Sequence, residues 1–269
     1  MIMTESEKNK LFAALKEKYN PEGSKLRKYQ LHLLDTLKEF DALCREHGIV
    51  YYLGYGSLLG AVRHNGFIPW DDDADLWMDR ENYTKLEKLM KGEFNQLSKN
   101  IYVNKGIRPT LWAAPFADID IFILDESPDN AFLHFIKEKS AMLLHALVKC
   151  REKIDSRKSK KFKPYYIFLP LAYLHTYATW KEKYTRVQQW FPKRGKRVQV
   201  FNEVFSGIKR TYPSDPEVWK PIEMEFEGCS FYVPQGWDVL LTIRYGDYMT
   251  LPKENEVQVH GIVNQFSNE

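Results

Sequence analysis

The chain has 269 residues, 44% of them hydrophobic, enough for one large cored domain or two small ones, and its net charge of +3 is too mild to mark a nucleic-acid-binding protein. Aromatic residues at 14% suit a globular protein with an amphipathic pocket better than a disordered chain. The three cysteines, Cys44, Cys150 and Cys229, form no CxxC pair, which argues against a disulfide framework and a zinc knuckle.

The amino terminus is charged and has no secretory apolar run. The charge-free window at 165–180 contains Pro170 and His175 and is shorter than the roughly 20 apolar residues of a membrane span. A cytoplasmic protein is therefore expected. Ser24 is placed to cap a helix running to about His47, with Leu26, Tyr29, Leu33, Leu37, Phe40 and Cys44 recurring every three or four residues. Gly48 ends it. Residues 49–53 are β-rich and lead into Gly54-Tyr55-Gly56-Ser57, a turn before a helical stretch at 58–62.

Residues 73–78 alternate, with Asp73, Asp75 and Trp77 on one face and Ala74, Leu76 and Met78 on the other, which predicts a strand with one polar and one buried face. Asp79 then caps a short helix to about Met90. Residues 116–124 alternate in the same way, with Asp118 and Asp120 opposite Ile119, Ile121 and Ile123. Helical patterns follow at 131–152 and, interrupted at Pro164 and Pro170, across much of 171–189. Residues 224–233 read as a hairpin turning at Glu227-Gly228. The expectation is a compact α+β protein, with an extension at 1–24, one domain over 25–269 and a basic, aromatic helical insertion at about 130–220.

Asp71-Asp72-Asp73-Ala74-Asp75 places four carboxylates in five residues, whose mutual repulsion calls for a cation. Asp73 and Asp75 on one strand face stand about 6–7 Å apart, suited to a shared divalent ion such as Mg²⁺. Asp120 supplies a third carboxylate if its strand lies beside theirs, and two metals on such a triad suit phosphoryl transfer. Gly56 and Ser57 before a helix offer backbone N–H groups to phosphate, with Arg63 and His64 near the same pocket.

The segment Tyr55-Gly56-Ser57-Leu58-Leu59-Gly60-Ala61-Val62-Arg63-His64-Asn65-Gly66-Phe67-Ile68-Pro69-Trp70-Asp71-Asp72-Asp73-Ala74-Asp75 resembles the signature of the LicD family. That family includes bacterial phosphocholine transferases and is related to the fukutin group. Ile119-Asp120-Ile121-Phe122-Ile123-Leu124-Asp125 and Arg244-Tyr245-Gly246-Asp247-Tyr248-Met249 agree in the same order, so the resemblance covers about 25–262. Ala74 replaces a bulkier aliphatic residue, and Ile123 stands where a proline is usual.

The resemblance implies a nucleotidyltransferase-like mixed sheet flanked by helices. It also implies donor phosphates at Gly56 and Ser57, and Mg²⁺ or Mn²⁺ on Asp73, Asp75 and Asp120. The implied reaction moves a phospho-alcohol from a CDP-alcohol, CDP-choline being the usual case, to a glycan hydroxyl or its lipid-linked precursor, with release of CMP. Lipopolysaccharide, capsule or teichoic acid would carry the product. Arg63 is the candidate for a phosphate oxygen, and Asp120, or else Asp72 or Asp118, for the hydroxyl proton. Asp71 and Asp72 can instead orient His64 or Arg63. Arg244, Tyr245, Asp247 and His260 are candidates for donor or acceptor contact, and Trp70, Trp77, Trp112 and Tyr245 for a choline cage.

The basic runs at 149–163 and 181–197 flank the aromatic 165–180, so peripheral contact with the inner leaflet is expected. A nucleic-acid partner is not, because no groove-reading motif is present. A nucleotide-sugar glycosyltransferase, a nucleotidylyltransferase and a non-catalytic binding protein are the competing readings.

Overall fold

The computed structural model describes residues 5–92, 94–113, 117–156, 164–190, 195–201 and 211–252. It divides into two compact units, the first comprising Met1–Lys105, Pro109–Phe122 and Lys220–Glu269, the second Gly106–Arg108 and Ile123–Trp219. Helices and strands alternate irregularly through both, so the α+β expectation is borne out.

The first unit begins with α1 (Glu5–Tyr19) and α2 (Lys25–Glu46). Ser24 caps α2 as expected, its extended backbone letting the side chain accept from Arg27 N. The apolar stripe from Leu26 to Cys44 is buried. After β1 (Tyr52–Leu53), α3 (Tyr55–His64) starts three residues earlier than the expected stretch at 58–62: Gly54 is the N-cap, and Gly56 and Ser57 lie inside the first turn. Tyr55 makes the sharp change of direction at a φ of 39°, its ring held edge-on by Trp77 at 5.0 Å and Phe122 at 4.7 Å.

Strand β2 (Ala74–Asp79) pairs antiparallel with β1, Tyr52 opposite Trp77. It starts one residue after Asp73. Trp77 is fully buried, so the supposedly polar face is covered beyond Asp75. Asp79 accepts from Asn82 N and caps α4 (Arg80–Leu89). A hairpin that the sequence pattern does not announce follows, β3 (Ile101–Lys105) and β4 (Pro109–Ala113). Strand β5 (Ala117–Ser127) gives its first six residues to this unit. The sheet order is β1-β2-β5-β4-β3, so the two aspartate-bearing strands are neighbours. Thr110 of β4 lies opposite Asp120 and Trp112 opposite Asp118.

In the second unit α5 (Ala131–Ser156), α6 (Leu169–Ala172) and α7 (Tyr177–Gln188) surround a core that includes Leu147, Val148, Trp180, Tyr184 and Phe201. A 3-10 turn, Pro164–Phe168, precedes α6. Strands β6 (Arg197–Val200) and β7 (Thr211–Pro213) pair antiparallel, and β6 pairs with the end of β5. Buried Lys137 is fully engaged, donating to the carbonyls of Glu126 and Trp190.

The chain then returns to the first unit with the hairpin β8 (Pro221–Phe226) and β9 (Cys229–Pro234) and with α8 (Trp237–Tyr245). Glu227 and Gly228 both have positive φ (52° and 72°), the signature of a tight two-residue hairpin turn, at the position the sequence indicates. Among the described residues no helix is long and apolar enough to cross a membrane.

Candidate functional site

The acidic run is folded back onto the start of α3. Ser57 Oγ accepts a hydrogen bond of 2.9 Å from Asp75 N, and Gly54 N donates to Asp75 O at 2.8 Å. A Cβ on Gly56 would stand 2.8 Å from Asp71 Oδ2 and 4.0 Å from Asp75 Oδ2. The bare backbone at Gly56 is what lets both carboxylates approach the helix N-terminus, where the peptide dipoles favour negative charge. The anion cradle expected of Gly56-Ser57 is thus occupied here by the protein's own carboxylates.

Asp71, which the sequence relegated to support, lies inside this cluster. Burial, the charge of Asp73 and a side-chain hydrogen bond with Asp73 push its carboxyl well above the usual range, with Asp72 adding to the shift. Asp72 is 1% exposed, which removes it from contact with an incoming hydroxyl in this arrangement. Asp120 is half-buried, and Thr110 Oγ1 donates to its Oδ1 at 2.9 Å. Asp118 is exposed, though partial burial of its carboxyl raises its pKa.

Two residues of α2 brace the acidic run, and neither is conspicuous in the sequence. The hydroxyl of Tyr29 is hydrogen-bonded to the Asp118 backbone, and burial with the charges of Asp118, Asp72 and Asp73 pushes its pKa up to about 12. Gln30, 1% exposed, donates from Nε2 to Ile68 O at 3.2 Å and Asp71 O at 2.8 Å, while its Oε1 accepts from Asn20 Nδ2 at 2.6 Å.

Among the described residues, Asp73, Asp75 and Asp120 included, no three Asp, Glu, His or Cys side chains already converge as metal ligands do. The donor chemistry nevertheless fits a hard divalent cation. The cluster offers carboxylate oxygens alone, and a bound cation would offset the crowding of charge that raises the Asp71 pKa.

Arg63 and His64 lie at the other end of α3 and have different work. Arg63 is 6% exposed; its Nε donates to His64 Nε2 at 3.0 Å and its Nη1 to Tyr248 O at 2.9 Å. It clasps the segment after α8, which leaves the expected phosphate contact without support. Burial first, then Arg63, pulls His64 down to about 3, so the ring is neutral. It borders a cavity of about 330 Å³ whose lining includes Phe12, Lys16, Arg27, Phe67 and Glu227 and none of the aspartates.

Trp70 is 9% exposed, with its ring edge-on to Tyr19. Trp70 and the fully buried Trp77 are therefore core residues rather than cage walls. Trp112 and Tyr245 remain exposed.

Arg244 is the arginine that lies against the start of α3. Its guanidinium lies 5.0 Å over the ring of Tyr55, the residue before Gly56, and 5.1 Å over Tyr245. Its buried Nε has no hydrogen-bond partner. Asp247 accepts from Thr250 Oγ1 at 2.6 Å. His260 lies outside the described residues.

An acidic cluster at a helix start, carried on neighbouring strands of an α+β unit, defines a class. Residues 48–116 match the family model described as the nucleotidyltransferase domain of LicD/FKTN/FKRP, and the resemblance to the LicD family is borne out. Among individual relatives, the chain is 27% identical over 260 residues to the lipopolysaccharide cholinephosphotransferase LicD of Haemophilus influenzae, covering 90% of this chain and 97% of that one. An uncharacterized Rickettsia prowazekii protein is 37% identical over 118 residues, 44% of this chain and 41% of its own. The human ribitol 5-phosphate transferase FKRP is 39% identical over 61 residues, 23% of this chain and 12% of its own.

Proposed function

We propose that this chain transfers a phospho-alcohol from a CDP-alcohol, CDP-choline before others, to a hydroxyl of a cell-surface glycan or its lipid-linked precursor, on a nucleotidyltransferase-type fold. The observation that carries the reading is the closure of Asp71 and Asp75 on Gly56 at the start of α3, with Asp73 and Asp72 crowding their charge onto Asp71. Such a concentration of carboxylate invites a divalent cation and, through it, a polyphosphate. The cholinephosphotransferase and ribitol-phosphate transferase relatives support the choice of phospho-alcohol over sugar.

Asp73, Asp75 and Asp120 would hold Mg²⁺ or Mn²⁺, which when bound neutralises the donor pyrophosphate. Arg244 offers its spare donor to a non-bridging phosphate oxygen. The acceptor oxygen bonds to the phosphorus carrying the alcohol, the bond from that phosphorus to CMP breaks, and CMP leaves with the electron pair. The hydroxyl proton passes to a carboxylate. Asp120 suits this best, since Thr110 Oγ1 orients its carboxylate through a bond of 2.9 Å. Because a lipid-linked acceptor is met at a membrane, a cytoplasmic protein working at the inner leaflet belongs to the same reading.

The test is a panel of CDP-choline, CDP-ribitol and CDP-glycerol with Mg²⁺ or Mn²⁺, following CMP. Metal-dependent CMP release from one of them is expected. Release of UDP or GDP from a nucleotide sugar, or of pyrophosphate from a nucleoside triphosphate, would overturn it in favour of a glycosyltransferase or a nucleotidylyltransferase.

A further inference from the structure

Residues 164–174 of the second unit form a pinned segment with an apolar outer face. Tyr166 and Ala172 are buried in the core, and Phe168 and Leu169 pack against it. Trp180 Nε1 donates to Ala172 O at 3.1 Å, and Lys153 Nζ stands 3.9 Å over the Tyr166 ring. Held from behind in this way, the segment turns Ile167 (76% exposed), Leu171 (48%), Tyr173 (67%) and Leu174 (68%) outward. A single exposed apolar residue is ordinary, but four large ones within eight residues of a fixed segment mark an interaction surface.

The charge around the segment selects the partner. Residues 149–163 carry eight Lys and Arg against Glu152 and Asp155. Of these, Lys149 and Arg151 on α5 pair with Glu152 and Asp155 and Lys153 covers the Tyr166 ring, so the uncompensated charge belongs to the five others, which precede the segment directly in sequence. A second copy of the chain would bring the same cations and be repelled. An acidic surface with an apolar layer beneath it satisfies both features, and the segment is too short to span that layer.

We infer that residues 164–174 dock the protein on an anionic lipid bilayer, Ile167, Leu171, Tyr173 and Leu174 entering the interface while neighbouring cations meet the head groups. The inference rests on the lipid-linked acceptor reading, but its test requires no turnover, so the two can fail separately.

The assay is flotation of the full chain with phosphatidylcholine vesicles containing or lacking phosphatidylglycerol. Recovery with anionic vesicles should exceed that with neutral ones by about tenfold or more, since each cation near such a surface adds on the order of fivefold. It should fall steeply at 1 M salt, where the Debye length is about 3 Å. The triple variant Ile167→Glu, Leu171→Glu, Leu174→Glu should lose about tenfold or more while melting like its parent. If that variant misfolds, the lipid and salt arms decide on the unaltered protein. Absence of flotation, equal flotation with neutral vesicles, undiminished flotation of a folded variant, or a dimer that the substitutions abolish would each overturn the inference.

Discussion

Gln30 offers the sharpest test of how the acidic run is held. Its amide spans three groups: the carbonyls of Ile68 and Asp71, which take its Nε2 protons, and Asn20, whose Nδ2 donates to its Oε1. Gln30→Leu keeps the bulk and deletes every one of these bonds. Ile68 O retains the turn bond from Asp71 N at 3.0 Å, and Asn20 Oδ1 retains Ser24 Oγ at 2.7 Å, so the groups left bare are Asp71 O and Asn20 Nδ2. A buried polar group without a partner costs about 1–3 kcal/mol, and two of them cost roughly 3 kcal/mol. For a protein of this size that is about 6–12 °C in Tm, read by a circular-dichroism melt. Release of the Asp71 carbonyl also loosens the turn that delivers Asp73 and Asp75, so more Mg²⁺ should be needed for half-maximal CMP release. A Gln30→Leu protein that melts within about 2 °C of the parent would refute the bracing role.

Four other single substitutions probe the same unit. Arg27 grips Glu227 through two bonds of 3.0 and 2.7 Å with little solvent on either side, so Arg27→Met should cost about 3 kcal/mol in urea denaturation; adding Glu227→Gln should recover part of that loss by removing the stranded charge. A Cβ at Gly60 would stand 2.4 Å from Gly66 O, backbone against backbone, so Gly60→Ala should cost at least about 3 kcal/mol. Gly48→Ala meets open space, and its φ of 61° should cost only about 1 kcal/mol on the same assay. Asp73→Asn should abolish CMP release while the melt stays within a few degrees of the parent; near-normal turnover would remove Asp73 from the metal set.

Where local rules sufficed, the sequence was legible. Helix α2 and the Glu227-Gly228 turn each combine a periodic pattern with a residue of defined backbone role, and both lie where expected. Trp77 misled because period two reports alternation but not whether a second layer covers the outer face; here Tyr55 and its neighbours do. The β3–β4 hairpin was missed because its strands are short and bounded by Lys, Gly and Pro, and only pairing with β5 makes them strands. Arg63 sits beside the motif in sequence, yet besides His64 its partners are carbonyls 185 and 187 residues away. Asp71 was underrated for the converse reason: nothing in Pro69-Trp70 says that the chain doubles back onto Gly56. Thr110, Tyr29 and Gln30 are ordinary polar residues until the fold carries them to the aspartates.

The cluster itself makes the last prediction. Four carboxylates in five residues oppose folding, and the native chain relieves them by a helix N-terminus and the α2 brace. A divalent cation that binds the folded chain and not the unfolded one adds stability as RT ln(1 + [L]/Kd), about 2.7 kcal/mol at a hundredfold excess over Kd. That amounts to roughly 5–11 °C in Tm when Mg²⁺ or Mn²⁺ is added, with no donor or acceptor present. Gly56→Ala should reduce the rise, because its methyl would press on Asp71 Oδ2 from 2.8 Å, and Asp73→Asn should remove most of it. Ca²⁺, which prefers more and longer oxygen contacts, should raise Tm less than Mg²⁺ does. If saturating Mg²⁺ and Mn²⁺ both leave the melt unchanged, the cluster does not hold a cation by itself, and the metal assignment to the free protein is refuted.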